Sequence, residues 1–411
     1  MTSSVYVWVW LPGDETPTPA GVLIRDPDGL CFAYGSRYLN NPMAVSLYGP
    51  ELPLENRIFR PAPHVGMPST IKDGAPDAWG MRVLLNQEAS ARGASADVSV
   101  LSDEYYLLNS GSDRIGGIDF QASPEVYVPR IDHASLDDLL HAADIVERGD
   151  ELPSALARAL VHGTSIGGAR PKSLVNDTNG SWVAKFSSST DVLNVVGGEA
   201  ASIYLAQRAG IDVPESHMVS VMGRDVLLMR RFDRQGKTRK MMVTGVTIIG
   251  RGTGVFSQYG TYPELVAVLH RHGADAGQAM FTRIVFNAAI SNFDDHMRNH
   301  SAFWDGHALA LTPAYDLSPS LRSGESGAFV TPFDADGTRE PNFSSIVARC
   351  GPFGITKKRA VECVEQVRAA INDHWRDAAD HGRLTRADRA FMWGRQFLNP
   401  ATLYGYSPPA T

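Results

Sequence analysis

The chain has 411 residues, more than one hydrophobic core normally supports, so two or three domains are expected. A hydrophobic share of 43% and a charged share of 20% fit a soluble globular protein, and no stretch approaches the roughly 20 apolar residues of a membrane span. A formal charge of -7 argues against non-specific wrapping of nucleic acid by this chain alone, so any DNA contact calls for a basic patch or a basic partner.

In chain order, "MTSSVYVWVWLPGDE" lacks a basic leader region, and a cytoplasmic protein is expected. Cys31, Cys350 and Cys363 are scattered thiols without metal spacing, which fits a reducing compartment and buried small apolar side chains. Val5 to Trp10 is apolar, β-branched and aromatic, which predicts a covered strand; "DPDG" at Asp26 to Gly29 supplies a turn before a strand over Leu30 to Tyr34. With "GSDRIGGIDF" (Gly111 to Phe120) closing it, the first part of the chain reads as a small β-containing domain. Helical periodicity follows over Ser135 to Glu147 and Pro153 to Val161.

From Gly163 the character changes to a Gly-rich stretch "GTSIGGARPK", a strand "SLVND", a turn, and a strand "SWVAKF" carrying Lys185. The helix "GGEAASIYLAQRAG" stacks Ala200, Ile203 and Tyr204 on one face, with Gly210 suited to its C-terminal cap. Strands "HMVSVM" and "DVLLMRRF" come next. Beyond Asp233, helices are predicted over Pro263 to His272, Ala276 to Ser291, Lys357 to Arg376 and Arg386 to Phe397. The last fifteen residues, rich in Pro and Tyr, read as a docking tail or a frayed end.

The chemistry concentrates in "SNFDDHMRNHS" (Ser291 to Ser301), which sets acids, amides and imidazoles directly after the apolar run Phe281 to Ile290. Asp294 and Asn299 have the spacing of a phosphoryl-transfer catalytic loop, in which the acid takes a hydroxyl proton and the amide oxygen holds magnesium. Upstream lie a hinge-like "LMRRF", a helix with Glu199, the strand lysine Lys185 and the Gly-rich loop; downstream, "TPAYDLSPS" brings Asp316 after a short β-like segment. That order is the protein-kinase series. Lys185 and the backbone N–H groups around Gly167 and Gly168 would neutralise and cradle a triphosphate, while Asn299 and Asp316 offer hard oxygens to magnesium. Glu199, placed in the first turn of its helix, either complements the dipole or pairs with Lys185. A Walker A loop is disfavoured because Ala169 follows Gly168 and the lysine arrives only at Lys172. A metal phosphohydrolase is disfavoured because "DDH" has no second His/Asp cluster to complete it.

At these residues the sequence resembles the HipA-like serine/threonine kinases, the toxin half of bacterial toxin–antitoxin pairs, through "SIGGARPKSLV", "WVAKF", "GIDVPES", "LMRRFDR", "FDDHMRNHS" and "AYDLSPS". N-terminal segments "DPDGLCFAYGSRYL", "AVSLYGPELPL", "PDAWGMRVL" and "SDRIGGIDF" extend the likeness over most of the chain. The resemblance implies an ATP- and magnesium-dependent protein kinase acting on a translation-related protein such as an aminoacyl-tRNA synthetase. It also implies a small helix-turn-helix antitoxin partner, and DNA contact only through that complex. Asp294 then looks like the general base, Asn299 and Asp316 like metal ligands, and Lys185 like the phosphate contact. Arg230, Arg231 and Phe232 would form the hinge beside adenine, and Tyr315 would line the nucleotide. Gly167, Gly168, Ala169, Arg170 and Lys172 would belong to the flexible nucleotide loop, with Ser165 as its autophosphorylated serine. His296 and Arg298 complete the nucleotide set, Arg298 standing where the family usually has Lys, and His300 where it has Phe. Asp295 puts a second anion beside the base, so the choice of Asp294 rests on its five-residue spacing to Asn299.

The expected fold is α+β, a two-lobed protein-kinase-like body with a small N-terminal β-containing domain. Expected divisions are 1–125 for the N-terminal subdomain, 126–233 for the β-rich lobe with the Gly-rich loop, and 234–411 for the helical lobe. Two rival functions stay open: a catalytically idle kinase-shaped module acting with an antitoxin on DNA, and a kinase of a non-protein acceptor.

Overall fold

The computed structural model describes residues 4–63, 65–92, 101–131, 134–153, 156–157, 160, 170–178, 180–188, 191, 193–250, 260–322 and 324–407. The predicted helix over Pro153 to Val161 falls mostly outside them.

Val5 to Val9 forms β1, the strand that its β-branched and aromatic residues favour. The sequence pattern places the next strand at Leu30, but the structure inserts β2 (Thr18–Asp26) between β1 and β3 (Gly29–Tyr34). Pro19, which argues against a strand, pairs with Trp8 beside the register shift between Val7 and Trp8, a bulge where a missing N–H is tolerated. The Asp26 to Gly29 turn joins β2 to β3. With β4 (Ile58–Phe59) and β5 (Ile118–Gln121) the antiparallel order is β4-β3-β2-β1-β5. Besides a single turn at Ser36–Leu39, the helices accompanying this sheet are α1 (Ser69–Asp73), α2 (Ala78–Arg92) and α3 (Asp103–Asn109).

Helix α4 (Leu136–Arg148), capped by Ser135 and closed at Gly149 in the left-handed region, leads to a second antiparallel sheet. Its strands are β6 (Lys172–Asp177), β7 (Gly180–Phe186), β8 (Ser216–Val221) and β9 (Arg224–Arg230), in the order β6-β7-β9-β8. One face packs on α4 and on Trp79 and Val83 of α2; the other packs on α5 (Val195–Arg208). Helix α5 lies against α8 (Lys357–His381), and the approach at its start is close enough to require glycine. A Cβ on Gly197 would meet the Gly382 carbonyl at 2.3 Å, and one on Gly382 would meet the Gly197 carbonyl at 2.2 Å. Gly197 of the "GG" doublet is therefore a packing device.

The helical lobe surrounds α6 (Tyr262–Arg271) and α7 (Gly277–Ile290). Every residue from Met280 to Ile290 is buried, as expected of a helix without a polar face. Helix α7 ends at Ser291 in the left-handed region, where the Asn292 N–H closes back on the Asn287 carbonyl at 2.9 Å. The turn so made delivers the crowded polar loop. Two short hairpin strands, β10 (Arg234–Gln235) and β11 (Thr238–Arg239), precede a third sheet of β12 (Met242–Thr244), β13 (Ser301–Trp304) and β14 (Leu309–Leu311). This sheet carries the chain from the polar loop to Asp316.

Other predictions change at their ends. Helix α8 continues past Arg376 to His381, and the helix predicted to reach Phe397 stops at Met392, before Gly394 at positive φ. The C-terminal segment is docked through residue 406, where the Tyr406 hydroxyl donates to Glu365 at 2.8 Å. All three cysteines are buried thiols, and among the described residues no helix is long and apolar enough to cross a membrane.

Candidate active site

Alternation along β7 sets the first functional side chain. Trp182, Ala184 and Phe186 enter the core on the α4 face, so Val183 and Lys185 point to the face that α5 covers. Lys185 Nζ lies 2.6 Å from Glu199 Oε1 and 2.6 Å from Asp316 Oδ1. Helix α5 begins at Val195, capped by Asn194, so Glu199 sits beyond the first turn assumed from sequence and serves the lysine rather than the dipole. Lys172 is not on a loop, as expected, but is the first residue of β6, directly opposite Lys185 in the ladder and only 4% exposed. Two lysines facing each other across a strand pair repel, and the nearby carboxylates offset this.

The electrostatics follow. Burial alone would lower Lys185, but Asp316 and Glu199 outweigh it and hold the ammonium above its ordinary pKa. Lys185, and after it Lys172, holds Asp316 well below the usual carboxylate range against the effect of burial. Burial pushes Glu199 up despite Lys185, with Asp316 adding to the rise. Burial, and then the Lys185 charge, pull Lys172 down. Asp316 itself adopts positive φ, and its carbonyl accepts from Asn292 Nδ2 at 3.3 Å.

The catalytic-loop candidates separate by environment. Asp294 is exposed, and burial of its surroundings, then Asp316 and Asp295, raise its pKa, with His296 opposing. Asp295 is 2% exposed, and its Oδ2 receives Tyr262 Oη at 2.5 Å, Asn287 Nδ2 at 2.7 Å and His300 Nε2 at 2.9 Å. Asn299 is buried and donates from Nδ2 to the Asp294 carbonyl at 3.4 Å, leaving its amide oxygen as the group suited to a cation. His296 is half-buried, its Nδ1 without a hydrogen-bond partner among the described residues. Arg298 is exposed, and its carbonyl accepts from the Tyr315 hydroxyl at 2.7 Å. That hydroxyl also lies 2.6 Å from Ser301 Oγ.

The hinge residues diverge. Phe232 stacks obliquely on Tyr315, with centroids 5.9 Å apart, and meets Phe303 edge-on at 6.0 Å, forming an aromatic wall. Arg230 is exposed and pairs with Glu215 at 3.0 Å. Arg231 is buried and turned toward the N-terminal sheet: it bonds Asp233, the Asp113 carbonyl at 3.2 Å and the Arg114 carbonyl at 2.7 Å. Asp233 in turn accepts from the Gly116 N–H at 2.8 Å. Arg170 is exposed beside Asp191 at 3.0 Å. Ser165, Gly167, Gly168 and Ala169 lie outside the described residues.

Three N-terminal residues without a role in the sequence reading reach this region. Burial raises Asp77 to about 6 despite Lys172, and Trp79 Nε1 donates to the Lys172 carbonyl at 3.1 Å. Burial and the Arg298 charge lower Lys72, with Asp103 opposing. The segment "PDAWG" carries a signal for Asp77 and Trp79 but not for Lys72, which lies upstream of it.

A family model described as the HipA-like C-terminal domain matches residues 164–375. A solved chain from the Shewanella oneidensis MR-1 toxin–antitoxin complex of HipA, HipB and operator DNA superposes with a TM-score of 0.62 at 18% identity, covering 94% of each chain. The Helicobacter pylori proinflammatory kinase CtkA aligns with a TM-score of 0.38 at 11% identity over 53% of this chain and 91% of its own. No curated protein matches the chain. The likeness to the Shewanella structure shows the fold, the α+β two-lobed architecture expected from the sequence.

Proposed function

Since this chain belongs to the HipA-like C-terminal domain family, we propose that it is an ATP- and magnesium-dependent serine/threonine protein kinase of the HipA toxin type. The observation that carries this reading is the convergence of Lys185, Glu199 and Asp316 from three separate elements at 2.6 Å contacts. Burying such a cluster is costly, and charges perturbed in this way recur at functional sites.

In this reading Lys185 and Lys172 neutralise the phosphates of ATP, and Glu199 fixes the Lys185 ammonium in place. Asp316 and Asn299 present the oxygens that would hold magnesium, which when bound supplies charge neutralisation at the phosphates. Phe232 and Tyr315 flank the base. Asp294, exposed at the cleft, orients the acceptor hydroxyl and takes its proton, a role its raised pKa suits. The acceptor is proposed to be a protein hydroxyl, on a translation-related target such as an aminoacyl-tRNA synthetase. Ser165 is proposed as an autophosphorylation site, and a small helix-turn-helix antitoxin as the partner through which DNA is met. The Shewanella structure, solved with HipB and operator DNA, supports the partner proposal.

Incubation of the purified chain with ATP should add phosphate to it, read as a mass shift, only when magnesium is present. A chain that neither consumes ATP nor gains phosphate under these conditions belongs to the idle-module reading instead.

A further inference from the structure

Asp295 is the carboxylate that the proposed chemistry leaves unused, and it has the densest set of partners in the loop. Its donors come from distant places: Tyr262 opens α6, Asn287 lies in the last turn of α7, and His300 directly follows the metal-ligand candidate Asn299. All three converge on Oδ2, and the Asp295 carbonyl accepts from Thr331 Oγ1 at 2.7 Å. The run continues beyond Asp295. Asn287 Oδ1 accepts from Asn292 Nδ2 at 3.1 Å, and the same Nδ2 reaches the Asp316 carbonyl at 3.3 Å. A connected path of side-chain hydrogen bonds therefore joins the residue after the base, the residue after Asn299 and the backbone of Asp316.

We infer that Asp295 is a positioning residue, the anionic pin that fixes Asp294, Asn299 and Asp316 relative to one another. Three donors aimed at one oxygen need a full negative charge on it, because a neutral amide oxygen attracts them less and an amide nitrogen opposes them. Burial also bars it from acting as the base: at 2% exposure no acceptor hydroxyl reaches it, whereas Asp294 beside it is exposed. Outer partners that orient a site's ligands commonly change activity by about 10- to 100-fold when removed.

The inference rests on the kinase reading for its kinetic arm, and a second arm is independent of it. Asp295→Asn should lower kcat about 10- to 100-fold, well beyond any rise in the KM for ATP, since the altered side chain itself touches only Tyr262, Asn287 and His300. Moving the charge with the double variant Asp295→Asn/Asn287→Asp should recover about tenfold of that loss. Tyr262→Phe, which removes one donor and no charge, should give a smaller kcat loss, again exceeding any change in KM. Amide hydrogen exchange across residues 291–301 should accelerate in Asp295→Asn relative to the unaltered chain, with no nucleotide present. Unaltered exchange in Asp295→Asn, or a normal kcat per folded molecule in both Asp295→Asn and Tyr262→Phe, overturns the inference. Absence of phosphoryl transfer in the unaltered chain sinks the kinase reading instead and leaves the exchange arm to decide.

Discussion

Two clusters of charge, one around Arg231 and Asp233 and one around Lys185, differ in whether they close on themselves. In the hinge cluster Arg231 and Arg234 bond Asp113 and Asp233. Against the effect of burial, these arginines and Arg239 hold Asp113 well below the carboxylate range, and Arg231 and Arg234 hold Asp233 down at about 2. In the cluster around Lys185, the proposed nucleotide site, Glu199 and Asp294 are pushed up and Lys172 is pulled down, even though Lys185 meets two carboxylates. The first cluster is a satisfied clamp between the N-terminal sheet and the hinge. The second is strained in a way that further ligand charge would relieve. The difference marks the second cluster as the one whose charges are perturbed in the way functional sites often are.

The largest expected effect breaks the strained cluster. Lys185→Met should reduce phosphoryl transfer roughly a hundred- to a thousandfold, measured with radiolabelled ATP. A smaller loss would mean that Lys172 alone suffices. The clamp should answer in stability instead. Asp233→Asn is expected to cost about 3–5 kcal/mol at neutral pH, read by denaturant unfolding, because it leaves buried guanidinium groups short of a partner. The sign follows from linkage: a depressed folded pKa gives stability present above the unfolded value and lost as pH falls toward about 2, so the variant and the unaltered chain should converge there.

Asp77 sharpens the contrast, being a strained charge on the N-terminal side. Its Oδ1 caps the Gly80 N–H at 3.0 Å, while Oδ2 is buried with no hydrogen-bond partner among the described residues. A folded pKa raised to about 6 means that the native state holds the proton longer, so stability falls as pH rises from about 4 to about 6. Asp77→Asn keeps the cap and should stabilise by about 1–3 kcal/mol above pH 6, the gain vanishing below about pH 4. The smallest effect belongs to Arg230, whose exposed pair with Glu215 should be worth less than about 1 kcal/mol on Arg230→Ala unfolding. Near-native transfer by this variant would assign the hinge role to backbone and Phe232 rather than to the guanidinium.

How much of this the sequence disclosed depends on how local each signal is. The series of strand lysine, helix glutamate, Asp/Asn loop and downstream aspartate was legible because each member sits on an element whose own pattern announces it. Asp294 could be separated from Asp295 only by spacing, since the three donors that bury Asp295 come from residues 5 to 33 positions away. Arg231 read as a nucleotide contact for the same reason: its partners near Asp113 lie 117 and 118 residues upstream. Lys172 looked like loop because Pro171 and the glycines before it speak louder than one strand residue. Strand β2 was hidden by Pro19, whose cost is absorbed by a bulge that only pairing reveals.

The account rests most heavily on Asp294 acting on the acceptor rather than on the nucleotide. Phosphate transfer and ATP affinity measured side by side for the unaltered chain and Asp294→Gln test it directly. Transfer should fall at least about a hundredfold with ATP affinity unchanged. Near-native transfer by the glutamine variant, or a loss explained wholly by weaker ATP binding, would contradict it.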